Sequence, residues 1–271
     1  LIYFPNAKIN LGLRVLGRRG DGFHNLQSAF IPVGWSDVLE VNVIENGTCG
    51  RLNFSIVGHE IDGENSNNLV VRAHGLLSAE YDLPELTATL LKNIPSGAGL
   101  GGGSSDGSFM LKAINDICSL GLSRESLEQY AAKLGSDCPF FIKNEPSIVT
   151  GRGEELSEFN CPNQFKDKSI LIIFPGVGVS TAEAFGLLDS MDGKEIDFND
   201  PWTIVNDFQN GVKNRFPEVY EAIKFHEENG ADFVQMTGTG SSVFGLYSKA
   251  NPLLKIVAEE RGWRAYLGAF L

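Results

Sequence analysis

Cysteine, basic charge and long apolar runs are scarce in this chain, and each shortage removes a class of explanation. The four cysteines, Cys49, Cys118, Cys138 and Cys161, include no C-x-x-C pair, so neither a zinc site nor a redox pair is suggested. The opening Leu1-Ile-Tyr-Phe-Pro5 lacks a basic stretch followed by an apolar segment, and no signal peptide is expected. Free thiols in a reducing cytoplasm are the expectation that follows. No apolar run reaches the roughly 18 residues of a membrane span, so no membrane partner is expected. Lys and Arg total 22 against 34 Asp and Glu, a net charge of −12. That argues against a nucleic-acid partner, since sequence-independent binding needs a basic surface. No His/Asp/Glu group has the spacing of metal ligands.

What remains is an ordinary globular composition, 42% hydrophobic and 21% charged over 271 residues. The length supports a self-sufficient core in one large or two medium domains. Short β-branched or alternating stretches predict strands at Ala7–Gly17, Ala29–Val33, Val38–Val43, Arg51–Val57 and Thr87–Ile94. Apolar residues at helical spacing predict helices over Asn67–Glu80, after the glycine run (Phe109, Met110, Ala113, Ile114, Ile117), and over Ser123–Leu134. Ser104 or Ser105 would cap the middle helix, with Asp106 in its first turn favouring the helix dipole. The polar stretch Gly151–Lys168 marks a domain boundary, dividing the chain into 1–155 and 156–271. Beyond it the order is strand Ser169–Phe174, helices at Thr181–Leu188, Pro201–Lys213 and Pro217–Glu228, strands Asp232–Met236 and Ser242–Tyr247, helix Asn251–Arg261 and strand Trp263–Phe270. Without the extra helices this is β-α-β-β-α-β, the split ferredoxin-like arrangement, so the fold class is α+β.

The most telling segment is Pro95-Ser-Gly-Ala-Gly-Leu-Gly-Gly-Gly-Ser-Ser105, in which five of the seven positions from Gly97 to Gly103 are glycine. Glycine permits positive φ and removes every Cβ, so the backbone can curl against a ligand. A helix start and two serines then add a positive dipole end and hydroxyl donors. In a chain this acidic, such local backbone donors are how an anion would be held, and a di- or triphosphate on the loop is expected. No Lys follows the glycines, which removes a Walker A loop. Gly97, Gly99 and Gly102 match G-x-G-x-x-G, but no acidic residue closes a second strand about 20 residues on, as a dinucleotide site requires. A flexible hinge is the ordinary alternative, and the clean strand and helix on either side oppose it.

The same run resembles the central motif of the GHMP kinases. Pro5-Asn-Ala-Lys-Ile-Asn-Leu11, Gly17-Arg-Arg-Gly-Asp-Gly-Phe-His24 and Gly135-Ser-Asp-Cys-Pro-Phe-Phe141 resemble the branch of that superfamily that acts on a cytidine-diphosphate-linked methylerythritol. Thr237-Gly-Thr-Gly-Ser-Ser-Val-Phe244 is similar to the superfamily's third motif, with Thr237 where Ser is common. The resemblance implies an N-terminal β/α domain with a left-handed crossover and a C-terminal ferredoxin-like domain. It implies ATP-dependent phosphorylation of the methylerythritol 2-hydroxyl, a step of the non-mevalonate isoprenoid pathway, in a monomer or weak homodimer.

It also implies roles. Pro95, Ser96, Gly97, Ala98, Gly99, Leu100, Gly101, Gly102, Gly103, Ser104 and Ser105 would bind ATP. Mg²⁺ would arrive with ATP, and Ser105 is its candidate protein contact. Asp137 would accept the hydroxyl proton; a helix cap is the ordinary alternative. Lys8 would point into the site rather than sit as a solvated edge lysine, with Asn10 on the same strand face. Phe23 and His24 would stack on and read the cytosine, where residue types alone suggest a core Phe and a surface His. The family usually has Tyr at the place of Phe23. Phe185 would supply the other wall of the base pocket, and Gly238 and Thr239 would approach the substrate. Mevalonate-type or homoserine kinases, a non-catalytic nucleotide sensor and a NAD-dependent oxidoreductase are the competing readings.

Overall fold

A computed structural model describes residues 1–59, 65–165, 167–188, 193–249 and 251–271. In chain order the strands and helices are β1 (Ile2–Tyr3), β2 (Asn6–Arg18), β3 (His24–Ser36), β4 (Val38–Val43), β5 (Leu52–Gly58), α1 (Leu69–Ser78), β6 (Leu86–Lys92), α2 (Gly102–Ile117), α3 (Arg124–Leu134), α4 (Cys138–Lys143), β7 (Ser147–Thr150), β8 (Glu155–Glu158), β9 (Ser169–Phe174), α5 (Thr181–Gly186), α6 (Gln209–Arg215), α7 (Pro217–Glu228), β10 (Phe233–Met236), β11 (Val243–Tyr247), α8 (Leu253–Glu260) and β12 (Arg264–Gly268). They form two compact units, each assembled from separate stretches. The first comprises Leu1–Ala7, Trp35–Ile94 and Gly101–Glu145; the second comprises Lys8–Gly34, Pro95–Leu100 and Pro146–Leu271. A cut in the chain at 155/156 falls within β8.

The first unit is a sheet in the order β1-β4-β6-β5, with β4/β6 antiparallel and β5/β6 parallel around the α1 crossover. Its core joins Leu39, Val41, Leu86, Ala88 and Leu90 of the sheet to Val70, Leu77, Met110, Leu111 and Ile114 of the helices. Alternation along β6 buries Leu86, Ala88, Leu90 and Lys92 on one face, and the last of these is a charge. Asn68 caps α1 by accepting from the Val70 N–H at 2.9 Å, and Ser123 caps α3.

The second unit contains two sheets. One runs β2-β3-β7-β8, and the other runs β10-β11-β9-β12 with every pair antiparallel. Numbered in sequence, the latter reads 2-3-1-4, the ferredoxin-like order expected from β-α-β-β-α-β. Its core packs Leu171, Ile173 and Val243 against Phe208, Val219, Ala222 and Phe225. No helix among the described residues is long and apolar enough to cross a membrane.

Several expectations need correction. Pro201–Lys213 is not one helix: a 3₁₀ turn covers Pro201–Thr203 and α6 starts only at Gln209. Asn206 lies between them. Its amide donates to Met236 O and Gly238 O, both at 2.8 Å, and its Oδ1 accepts from Phe208 N. A residue so pinned cannot continue a helix. Pro139 sits in the first turn of α4, where its missing N–H costs nothing. The third strand begins at His24 rather than Ala29.

Candidate active site

The glycine run owes its shape to two kinds of glycine. Gly97, Gly99 and Gly101 have φ of +63°, +76° and +70°, while Ala98 and Leu100 between them bury their side chains. Left-handed φ at every second residue curls the chain in a way that only glycine adopts freely. A Cβ on Gly99 would lie 2.2 Å from Thr237 O, and one on Gly102 2.9 Å from the Ile94 side chain. These two glycines are demanded by packing. At Gly97 a Cβ would meet nothing within 4 Å, and the same holds at Gly103, whose missing side chain leaves open space at the start of α2.

The helix begins earlier than expected. Its N-cap is Gly101, with no side-chain cap, so neither Ser104 nor Ser105 is the cap; both lie within the helix. A glycine at positive φ delivers the chain directly into the helix and makes a serine cap unnecessary. Asp106 is not a surface partner of the dipole but a buried member of an ion-pair cluster with Lys92. Ser105 is fully buried, and its Oγ has no hydrogen-bond partner among the described residues. An orphaned hydroxyl there fits a contact supplied by a ligand or its ion. Among the described residues, no group of three or more His, Cys, Asp or Glu is arranged to hold a metal.

In the same unit, Asp137 immediately precedes α4 and is half-buried. Its side chain makes no capping hydrogen bond to that helix, which disfavours the ordinary alternative. The segment is tied to α2: Ser108 Oγ lies 2.8 Å from both Ser104 O and Cys138 O. Burial pushes the neighbouring Cys138 thiol up to about 11, so it stays protonated and is no nucleophile.

Within the second unit, Lys8 is only 4% exposed, which excludes the solvated edge lysine. Its Nζ donates to Asn10 Oδ1 at 2.6 Å and sits 4.2 Å from the Phe30 ring centre. Asn10 in turn donates from Nδ2 to Ser28 Oγ at 2.9 Å, and its N–H donates to Thr237 Oγ1 at 2.9 Å. Thr237 Oγ1 donates to Gly99 O at 3.1 Å, and Lys8 N donates to Leu100 O at 2.9 Å. Strand β2, the Gly99–Leu100 part of the glycine run and Thr237 are thus one hydrogen-bonded assembly. Gly238 packs so closely that its Cβ would lie 3.0 Å from Gly99 O, and Thr239 beside it is half-buried. Asn206, which the sequence alone did not single out, holds this turn through its Gly238 contact.

The expected base-binding residues fall differently. Phe23 is 55% exposed, with the Arg152 guanidinium 5.0 Å from its ring centre. His24 is half-buried and stacks on Phe185, with centroids 4.8 Å apart and 23° between planes. Phe185 is itself held edge-on by Phe208 at 4.9 Å.

Residues 68–145 match the GHMP kinases N terminal domain and residues 193–259 the GHMP kinases C terminal domain. The chain is 42% identical over 265 residues to the 4-diphosphocytidyl-2-C-methyl-D-erythritol kinase of Bacteroides fragilis, covering 94% of this chain and 95% of that protein. It is 39% identical over 265 residues to the Porphyromonas gingivalis protein of the same name, with the same coverage. A crystal structure of 4-(cytidine 5'-diphospho)-2C-methyl-D-erythritol kinase superposes with a TM-score of 0.83 at 30% identity, covering 100% of this chain and 99% of that one. The Methanococcus jannaschii mevalonate kinase shares the fold, at a TM-score of 0.71 and 14% identity over 100% of this chain and 98% of that one.

Proposed function

The chain belongs to the GHMP kinases, and from that membership we propose how its residues carry out the family's chemistry. It transfers the γ-phosphoryl group of ATP to the 2-hydroxyl of 4-diphosphocytidyl-2-C-methyl-D-erythritol, giving the 2-phosphate and ADP. Relatives of that name run at 36–42% identity, whereas solved mevalonate and homoserine kinases share 13–16% and speak only to fold. The reading of a NAD-dependent oxidoreductase falls with the family assignment.

One observation carries the placement of ATP. Gly103 leaves open space at the N-terminus of a 16-residue helix. Backbone N–H groups and the helix dipole there hold phosphates without a lysine, which is how so acidic a chain binds a nucleotide. Asp137 takes the proton of the 2-hydroxyl as its oxygen bonds to the γ-phosphorus; the bond from that phosphorus to the β-bridging oxygen breaks and ADP leaves. The buried Lys8 ammonium, fixed by Asn10, favours the deprotonated forms of acceptor and base. Mg²⁺, where bound with ATP, neutralises phosphate charge, and Ser105 is the residue here that would meet it. Phe23 offers an exposed ring face to the cytosine, His24 reads its edge, and Gly238 and Thr239 form the turn against the glycine run.

In sequence order we assign 1–155 to an ATP-binding domain and 156–271 to a ferredoxin-like domain; one matched family segment falls on each side. A cytoplasmic, monomeric or weakly dimeric enzyme belongs to the same reading. The test is turnover: purified protein with ATP, Mg²⁺ and the cytidine substrate releases ADP and a new phosphomonoester in equal amounts. Turnover on mevalonate or homoserine instead would replace the substrate assignment, and nucleotide binding without any turnover would favour a sensor.

A further inference from the structure

Inside the first unit, where the chain leads into the glycine run and out of it, lies a cluster of three charges. Lys92, Asp37 and Asp106 have side chains no more than 3% exposed. Lys92 Nζ makes a short hydrogen bond to Asp37 Oδ2 and one of 2.8 Å to Asp106 Oδ2. Asp37 Oδ1 accepts from Asn93 N at 2.5 Å and Ile94 N at 2.8 Å. The chain leaving β6 is therefore seized at Lys92, Asn93 and Ile94, immediately before Pro95. Asp106 belongs to α2, four residues after the helix starts at Gly102. A Cβ at Gly102 would stand 3.4 Å from Lys92 Nζ and 2.9 Å from Ile94, so the two stems touch.

Two carboxylates share one ammonium. Burial raises the Asp106 carboxyl well above its usual range, Lys92 opposing this and Asp37 adding to it. Burial pulls the Lys92 ammonium down, but the two carboxylates outweigh that and hold it raised. Stability alone does not call for such an arrangement, because apolar residues of similar volume are commonly as stabilising as a buried ion pair. What the triad supplies and apolar packing would not is a fixed distance between two particular points of the backbone.

We propose that Asp37, Lys92 and Asp106 are positioning residues for ATP: by bridging both stems of the glycine run they set its span, and hence the aim of its N–H groups at the phosphates. This rests on ATP occupying the run. The experiment compares Lys92→Met, Asp106→Leu and the conservative Asp106→Asn, measuring thermal unfolding, affinity for a non-hydrolysable ATP analogue, and KM for each substrate. Lys92→Met and Asp106→Leu are expected to weaken the analogue and raise the ATP KM at least tenfold, leaving the KM of the cytidine substrate within twofold. Asp106→Asn, which keeps an acceptor for Lys92, should stay within threefold of the parent for ATP. Folded apolar variants that bind the analogue normally, or a matched rise in both KM values, would overturn the proposal. So would failure of both apolar variants to fold, which would make the triad a general stability element. Gly103→Val serves as the control for the underlying reading: if it retains ATP affinity, the placement of ATP on the run is what fails.

Discussion

Replacing Gly103 by Val separates what the glycine run does for the ligand from what it does for the fold. Gly103 is the second residue of α2, is exposed, and has nothing within 4 Å of where a Cβ would stand. A helical glycine costs about 1 kcal/mol relative to Ala, and Val recovers part of this. Folding stability should therefore hold or rise by up to about 0.5 kcal/mol. The phosphates, by contrast, need close backbone approach on that side. Losing one charge-assisted hydrogen bond costs about 1.5–3 kcal/mol, or roughly 10- to 150-fold in affinity. Gly99→Ala should behave in the opposite order. Its φ of +76° and a Cβ 2.2 Å from Thr237 O strain the protein directly, so the melting temperature falls first. Calorimetric unfolding and titration with a non-hydrolysable ATP analogue read both quantities. A Gly103→Val protein that binds the analogue within twofold of the parent would refute the reasoning.

Phe23→Ala removes an exposed ring, so stability should not change, while loss of base stacking worth about 1–3 kcal/mol should raise the KM of the cytidine substrate at least fivefold and leave that of ATP alone; equal effects on both would remove Phe23 from the base site. His226 is fully buried, its Nδ1 2.8 Å from Tyr247 Oη, and burial pushes its imidazole down to about 3. The unfolded chain takes up that proton near pH 6.5 and the folded one does not, so the contribution is intact above 6.5 and shrinks as pH falls toward 3, by about 1.4 kcal/mol per unit at most. His226→Gln should flatten that part of the stability–pH curve measured by denaturant unfolding, and an unaltered slope would contradict the assignment.

Much of this molecule is legible in its residues, for identifiable reasons. The ferredoxin-like order follows from strongly patterned segments such as Ser169–Phe174, buried from Ile170 to Phe174. The Lys8–Asn10 pairing follows from the two-residue period of a strand. The glycine run raises the expectation of a phosphate site, yet sequence does not say which glycines would serve a ligand. That division depends on Thr237, which approaches from elsewhere in the chain, and on the fold-back of Ile94 against Gly102. Lys92 was readable in principle, since alternation places it inward with Leu86, Ala88 and Leu90. Its partners Asp37 and Asp106 were not, because a partnered buried carboxylate looks like any surface Asp until the fold brings it to a lysine. Asn206 escaped for the same reason: its partners Met236 and Gly238 are about 30 residues away. The His24–Phe185 stack is likewise a property of the packing.

The assignment of Asp137 as the proton acceptor is the claim on which the account turns, and single-turnover kinetics of Asp137→Asn test it most directly. An amide is nearly isosteric with the carboxylate but cannot take the proton. The account predicts phosphoryl transfer slowed by about 10²-fold or more, with unchanged affinity for the ATP analogue and an unchanged melting temperature. A variant that transfers the phosphoryl group at a rate within a few-fold of the parent would contradict it.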